Sequence, residues 1–127
     1  MTHALPLGAS DLLEARKVLV ACICELHGFD FNPASKFVSF DDGEMGSFRV
    51  LPETDVGLPE RIVDEFEYSD RDEMGILITV YTRDGRSVSG LDFWRYDFQA
   101  AGSFPEPADL RKPDIMHLPP VSTRANK

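Results

Sequence analysis

Apolar and polar residues alternate most regularly between Met74 and Phe98, where Ile76, Ile78 and Val80 interleave with Leu77, Thr79 and Tyr81. β-Branched and aromatic side chains in that rhythm suit a well-buried strand. Asp84-Gly85 comes next, a dipeptide that favours a two-residue hairpin turn because both of its positions take positive φ. Counting back from that turn places Ile78 opposite Leu91 and Ile76 opposite Phe93 on an apolar face. On the other face Tyr81 meets Val88, Thr79 meets Gly90, Leu77 meets Asp92 and Gly75 meets Trp94. A slip of one residue would exchange the two faces, so the pairing depends on the turn.

Upstream the period changes from two to between three and four. Leu12, Leu19, Ile23 and Leu26 recur at helical spacing, and Leu13, Val20 and Cys24 widen the stripe. Ser10 is placed to cap this helix, with Asp11 and Glu14 near its positive end. The spacing predicts a helix from Asp11 to His27 that stops at Gly28, a residue suited to the left-handed position after a helix. Two further strands, Lys36–Phe40 and Met45–Leu51, flank Asp42-Gly43, and counting from that turn sets Phe37 opposite Phe48. Arg61–Tyr68 is the next strand, joined to Met74 by Ser69-Asp70-Arg71-Asp72-Glu73. That count sets Phe66 against Ile76 and Ile62 against Val80, with Val63, Glu65 and Glu67 on the mixed face.

The elements add up to an α+β fold: one N-terminal helix packed on an antiparallel sheet of about five strands. Residues 1–102 form a single domain on this reading. Five of the nine prolines fall in residues 103–127, which reads as a proline-rich extension, partly packed through Ile115, Met116 and Leu118 and frayed at its end. One helix covers one sheet face, so the other is solvated, covered by the extension, or used to meet a partner.

Composition narrows the partners. With 127 residues and 43% hydrophobic content, the chain is long enough for a real core. Its net charge of −9 argues against nucleic acid and against anionic membranes, and leaves a basic protein partner compatible. The acidity is concentrated. Residues 41–73 hold twelve acidic residues against three arginines, so that stretch carries the charge of the whole chain. Solvated turns and protected strand edges account for such charge, and so does a patch that steers a basic partner. The amino terminus has no basic segment leading into a long apolar run, and no stretch reaches membrane-spanning length, so a cytoplasmic protein is expected.

The chemistry-bearing residue types are scattered. G-x-S-x-G, G-x-x-x-x-G-K-[ST], H-E-x-x-H and C-x-x-C are all missing, and His3, His27 and His117 lie far apart. Cys22 and Cys24 would diverge by roughly 200° on a helix, which fits two small buried thiols rather than a shared metal. The acidic turns at Asp41–Glu44 and Asp70–Glu73 do not follow the twelve-residue calcium loop. No catalytic residue, metal or cofactor is therefore expected. Asp64 falls on the apolar face, where it requires a sheet margin, a partner such as Arg49 or Arg61, or a raised pKa suited to a catalytic acid. In the segment Asp92–Phe98, Asp92, Trp94 and Tyr96 share one side, and Phe93, Arg95 and Asp97 the other. Trp and Tyr beside a carboxylate build an interaction hot spot or a cage for a cation, and serve equally as core aromatics.

DGEMGSFRVL, EFEYSDRDEMGILITVYTRDG and LDFWRYDF, in that order behind an N-terminal helix, resemble a family of small uncharacterised bacterial domains. Its members show D-G-x-M-G-S-[LF]-R, an acidic strand, a D-G hairpin and L-D-x-W-[KR]-x-D-F. The matching positions are Asp42, Gly43, Met45, Gly46, Ser47, Phe48 and Arg49, then Leu91, Asp92, Trp94, Arg95, Asp97 and Phe98. The resemblance spans roughly residues 10–100 and implies a fold and a bacterial cytoplasmic setting, with no activity attached. Small acidic bacterial domains include immunity proteins that neutralise toxins, and that analogy is the functional hint it adds.

The expectation that follows is a non-enzymatic, protein-binding domain of the immunity type. It would present Glu65, Glu67, Tyr81, Asp92 and Trp94 to a basic protein. Two other expectations stand beside it: a small-molecule binder or enzyme using Asp64 or Asp92 as an acid–base group, and a homodimer or larger homo-oligomer that buries its open sheet face.

Overall fold

A computed structural model describes residues 9–39, 43–53 and 57–113. Helix α1 (Ala9–His27) is followed by strands β1 (Lys36–Ser39), β2 (Phe48–Leu51), β3 (Arg61–Ser69), β4 (Gly75–Thr82) and β5 (Gly90–Arg95). The strands form one antiparallel sheet in the order β1-β2-β5-β4-β3. This is the α+β arrangement that the hydrophobic pattern predicts. Asp41, Asp42 and the apolar residues Ile115, Met116 and Leu118, along with His3 and His117, lie outside the described residues.

Ala15, Leu19, Val20, Ile23 and Cys24 of α1 press on one sheet face, against Phe48, Val50, Phe66, Tyr68, Ile76, Ile78, Val80, Leu91 and Phe93. Leu13 and Leu26 have the right angular position but are 47% and 64% exposed, since they sit on turns near the helix ends. Ser10, expected as the cap, lies inside the helix. Of the two thiols expected to be buried, Cys24 is buried and Cys22 is exposed. The helix stops as its sequence predicts. Gly28 takes φ +69°, its N–H donates to Glu25 O, and the Phe29 N–H reaches back to Cys24 O at 2.8 Å. That pair of bonds satisfies carbonyls the helix would leave bare.

All three hairpins pair two residues away from the count on the sequence, which took two-residue turns at Asp42-Gly43 and Asp84-Gly85 and five residues between β3 and β4. Phe37 lies opposite Val50 rather than Phe48, Tyr68 opposite Ile76 rather than Met74, and Ile78 opposite Phe93 rather than Leu91. The β1–β2 and β4–β5 connections are longer than two-residue turns, whereas β3 and β4 keep a five-residue connection, displaced by one residue to 70–74. Between β4 and β5 the Asp84 carboxylate accepts the N–H groups of Arg86 and Ser87, and Thr82 Oγ1 donates to Ser87 O at 2.6 Å. Side chains there take over the bonding that a two-residue turn gives to the backbone. A shift of two preserves the face of every residue, so the core face is the one expected. The exception is β3, where a bulge between Ile62 and Asp64 leaves Ile62 opposite Tyr81, 49% exposed, and brings Val63 against the core.

The chain after β5 returns to the body. Phe104 is 1% exposed and its ring lies 5.3 Å from that of Phe93, on the helix side of the sheet. A short 3-10 turn (Pro107–Asp109) then leads Arg111 onto the β3 edge, where it exchanges both backbone bonds with Glu67. Between residues 103 and 113 the chain therefore closes the core and shields an edge; among the described residues no helix or strand packs on the sheet face opposite α1, although Glu67, Leu77 and Thr79 on it are buried.

Candidate functional site on the open sheet face

The open face is built by the residues that alternate with the core. Arg49, Glu65, Glu67, Leu77, Thr79, Tyr81, Asp92 and Trp94 all belong to it. The shifted register pairs Thr79 with Asp92 and Leu77 with Trp94. The aromatic ring over Gly75 is consequently that of Tyr96, where a β-carbon on the glycine would stand 2.6 Å from the ring. Only glycine leaves room for that ring.

Three carboxylates gather around Tyr81. Burial pushes its phenol up to about 12, and the charge and hydrogen bond of Asp92 and the charges of Glu60 and Glu65 add to the shift. Glu65 accepts a bond from Thr79 Oγ1 at 3.5 Å, and Glu60 accepts one from Ser89 Oγ at 2.6 Å. Arg49 is one nearby cation, 3.4 Å from Glu53 and 3.9 Å from Glu60. Trp94 is half-buried beside this group. Its ring meets Tyr96 edge-on at 6.2 Å and Phe98 at 5.5 Å. Phe98 is 66% exposed and holds φ +63°, a conformation that few side chains adopt.

Of the five residues expected at the site, Glu65, Tyr81, Asp92 and Trp94 lie together with part of each accessible. Glu67 is different. It is 1% exposed, accepts the Tyr96 hydroxyl at 2.7 Å, and meets the Arg111 guanidinium at 2.9 Å. A buried carboxylate needs such partners, and here they fix Tyr96 and the chain near Arg111. Sequence counting missed Glu60 and Phe98. Glu60 lies ahead of β3 and reaches the face only through its side chain, and Phe98 follows the last residue of β5. The run of aromatics through Phe98 was the available signal.

Asp64 sits on the edge strand β3, as one reading expected, but its partners are His27 at 2.9 Å and Lys112 at 2.6 Å rather than Arg49 or Arg61. Burial alone would raise its pKa. The bonds from Lys112, the Glu65 N–H and His27 outweigh burial and lower it. The raised value that a catalytic acid would require is therefore not found. Asp64 is an anchor for the end of α1 and for the chain at Lys112.

The two motif stretches behind the resemblance lie side by side. Ser47 Oγ accepts the Phe93 N–H at 2.8 Å and donates to Phe93 O at 3.3 Å, while Met45 Sδ accepts the Arg95 N–H at 3.4 Å. Past the last backbone pair, these side chains extend the β2–β5 seam. Arg95, 7% exposed, then gathers Asp70, Asp72 and Asp97, and Asp70 also accepts bonds from the Gly102 N–H and the Ser103 hydroxyl. These residues hold three loops in place under the aromatic end of the face.

A family profile described as a domain of unknown function, DUF6984, matches residues 18–105. The chain belongs to this family. In this DUF6984 domain the match runs from the middle of α1 through Pro105, and so includes the whole sheet. Searches against curated proteins and against solved structures return no match. Among the described residues, no helix is long and apolar enough to cross a membrane, and no three metal-ligating side chains converge.

Proposed function

We propose that the domain is a protein-binding module that presents its open, acidic and aromatic sheet face to a basic protein. The observation that carries this reading is the gathering of Glu60, Glu65 and Asp92 around Tyr81, next to the half-buried Trp94 and the exposed Phe98. Carboxylates at a rim speed encounter with a cationic partner, and aromatic side chains supply the contact area that slows its release. Like charges on the same face oppose stacking of one copy on another. An immunity role in a bacterial cytoplasm, neutralising a basic toxin, is the finer form of the proposal.

The test begins with affinity purification of the tagged chain and identification of the bound protein. Association of that protein is then measured against wild type, Glu60→Lys/Glu65→Lys and Trp94→Ala over a range of salt. Charge reversal should slow association by about tenfold at low salt, with the difference shrinking as ionic strength rises. Trp94→Ala should act on dissociation instead. Rates unchanged by both variants would remove the open face from the interaction.

A further inference from the structure

At the end of the sheet away from Arg95 lies a cleft that the open-face reading does not use. The turn at Gly28 sends the chain from α1 toward the β4–β5 connection, where the Asp30 N–H donates to Arg86 O at 2.8 Å. The Ser35 N–H closes onto Asn32 O at 2.9 Å, and the Val50 N–H onto Ser89 O at 2.9 Å. These joints enclose about 340 Å³, within the range of roughly 300–1,000 Å³ that small-molecule sites occupy.

The cleft has an apolar floor and a polar rim. Val20, Cys24, Val50 and Val88 form the floor, each at most 8% exposed. Burial pushes the Cys24 thiol up to about 11, so the floor carries no charge at neutral pH. Asp30, Asn32, Ser35 and Arg86 stand at the rim. The two other carboxylates of the lining are already engaged. Asp84 accepts bonds from Arg86 N–H and Ser87, and Glu53 pairs with Arg49. Asp30 and Arg86 are joined through their backbones, yet among the described residues neither side chain has an ion-pair partner. Among the described residues, one exposed carboxylate and one exposed guanidinium without ion-pair partners thus flank an apolar floor.

We infer that this cleft binds a small zwitterion with a short apolar side chain, of the α-amino acid class. Asp30 takes the ammonium group, Arg86 the carboxylate, and the Val20–Val50–Val88 floor the side chain. A guanidinium offers paired donors to a carboxylate, which a neutral amide does not. At about 340 Å³ the cleft has room for an amino acid of valine's size.

The experiment titrates the ¹⁵N-labelled full chain with L-valine, and separately with isobutylamine and isovalerate, which each keep one of its charged groups. Valine should shift the amides of Asp30, Ser35, Val88 and Ser89 with saturation, and each half-ligand should bind about tenfold more weakly or worse. Arg86→Gln should reduce valine affinity by about tenfold and leave isobutylamine unaffected, and Asp30→Asn should do the converse with isovalerate. The spectrum of each variant reports its fold in the same measurement. No saturable shift with L-valine or L-leucine, or half-ligands that bind as well as valine, would overturn the assignment. Neither outcome bears on the open face, which lies on other residues.

Discussion

Asp70 shows how one side chain holds several segments. Its carboxylate is 1% exposed and lies 2.7 Å from Arg95, with further bonds from the Gly102 N–H and the Ser103 hydroxyl. Arg95→Met would leave that charge buried without its cation, at a cost of about 3–5 kcal/mol in urea unfolding, and adding Asp70→Asn should recover part of it. The carboxyls of Asp64, Asp70, Asp72 and Asp97 are all held below their ordinary 3.8. For Asp64 and Asp70, bonds from neighbouring groups overcome the opposing effect of burial; for Asp72 and Asp97, Arg95 is the main cause. Groups with depressed native pKa values stabilise the fold above the unfolded value, near pH 4, and lose that contribution as pH falls through the native values. Between the two values the unfolded chain binds more protons. Thermal unfolding followed from pH 6 down should therefore show the melting temperature falling below about pH 4, and Asp70→Asn should flatten that fall.

Two joints carry the elements. Ser47 spans the β2–β5 seam with both a donor and an acceptor on Phe93, so Ser47→Ala leaves a buried N–H and carbonyl without that partner. A loss of about 1–3 kcal/mol is expected, together with faster hydrogen exchange at the Phe93 amide. If the Phe93 amide stays as protected as in wild type, the seam does not depend on Ser47. At the end of α1, Gly28 has φ +69° and nothing within 4 Å of an added β-carbon. Gly28→Ala should then cost about 1 kcal/mol through the backbone alone, read as a shift in the denaturation midpoint. The helix, the stop at Gly28 and the strands were visible as periodicity and punctuation. The hairpin pairs were not, because Asp84, Ser87 and Thr82 rebuild the β4–β5 connection through side-chain bonds that a turn dipeptide does not reveal.

Over the whole molecule, charge is the main unbalanced quantity. The net −9 lies largely in residues 41–73, and Glu60, Glu65 and Asp92 crowd Tyr81 on one face. Screening relieves such repulsion, while the buried Asp70–Arg95 pair is screened far less. Raising sodium chloride from about 0.05 to 0.5 M should therefore raise the melting temperature. A fall would mean that exposed ion pairs outweigh the repulsion.

The sequence by itself determined the elements, the side of the sheet on which Ile76, Ile78, Glu65, Tyr81 and Trp94 lie, and the excess of acid. Periodicity is local, and a pairing error of two residues leaves every face unchanged. The tertiary structure decided the rest. It placed β2 against β5, gave Asp64 to His27 and Lys112, and buried Glu67 under Tyr96 and Arg111. It also brought Asp30 and Arg86 to one cleft across more than fifty residues of chain. These are meetings between distant segments, set by loop length and by the path of the chain, and no local pattern encodes them.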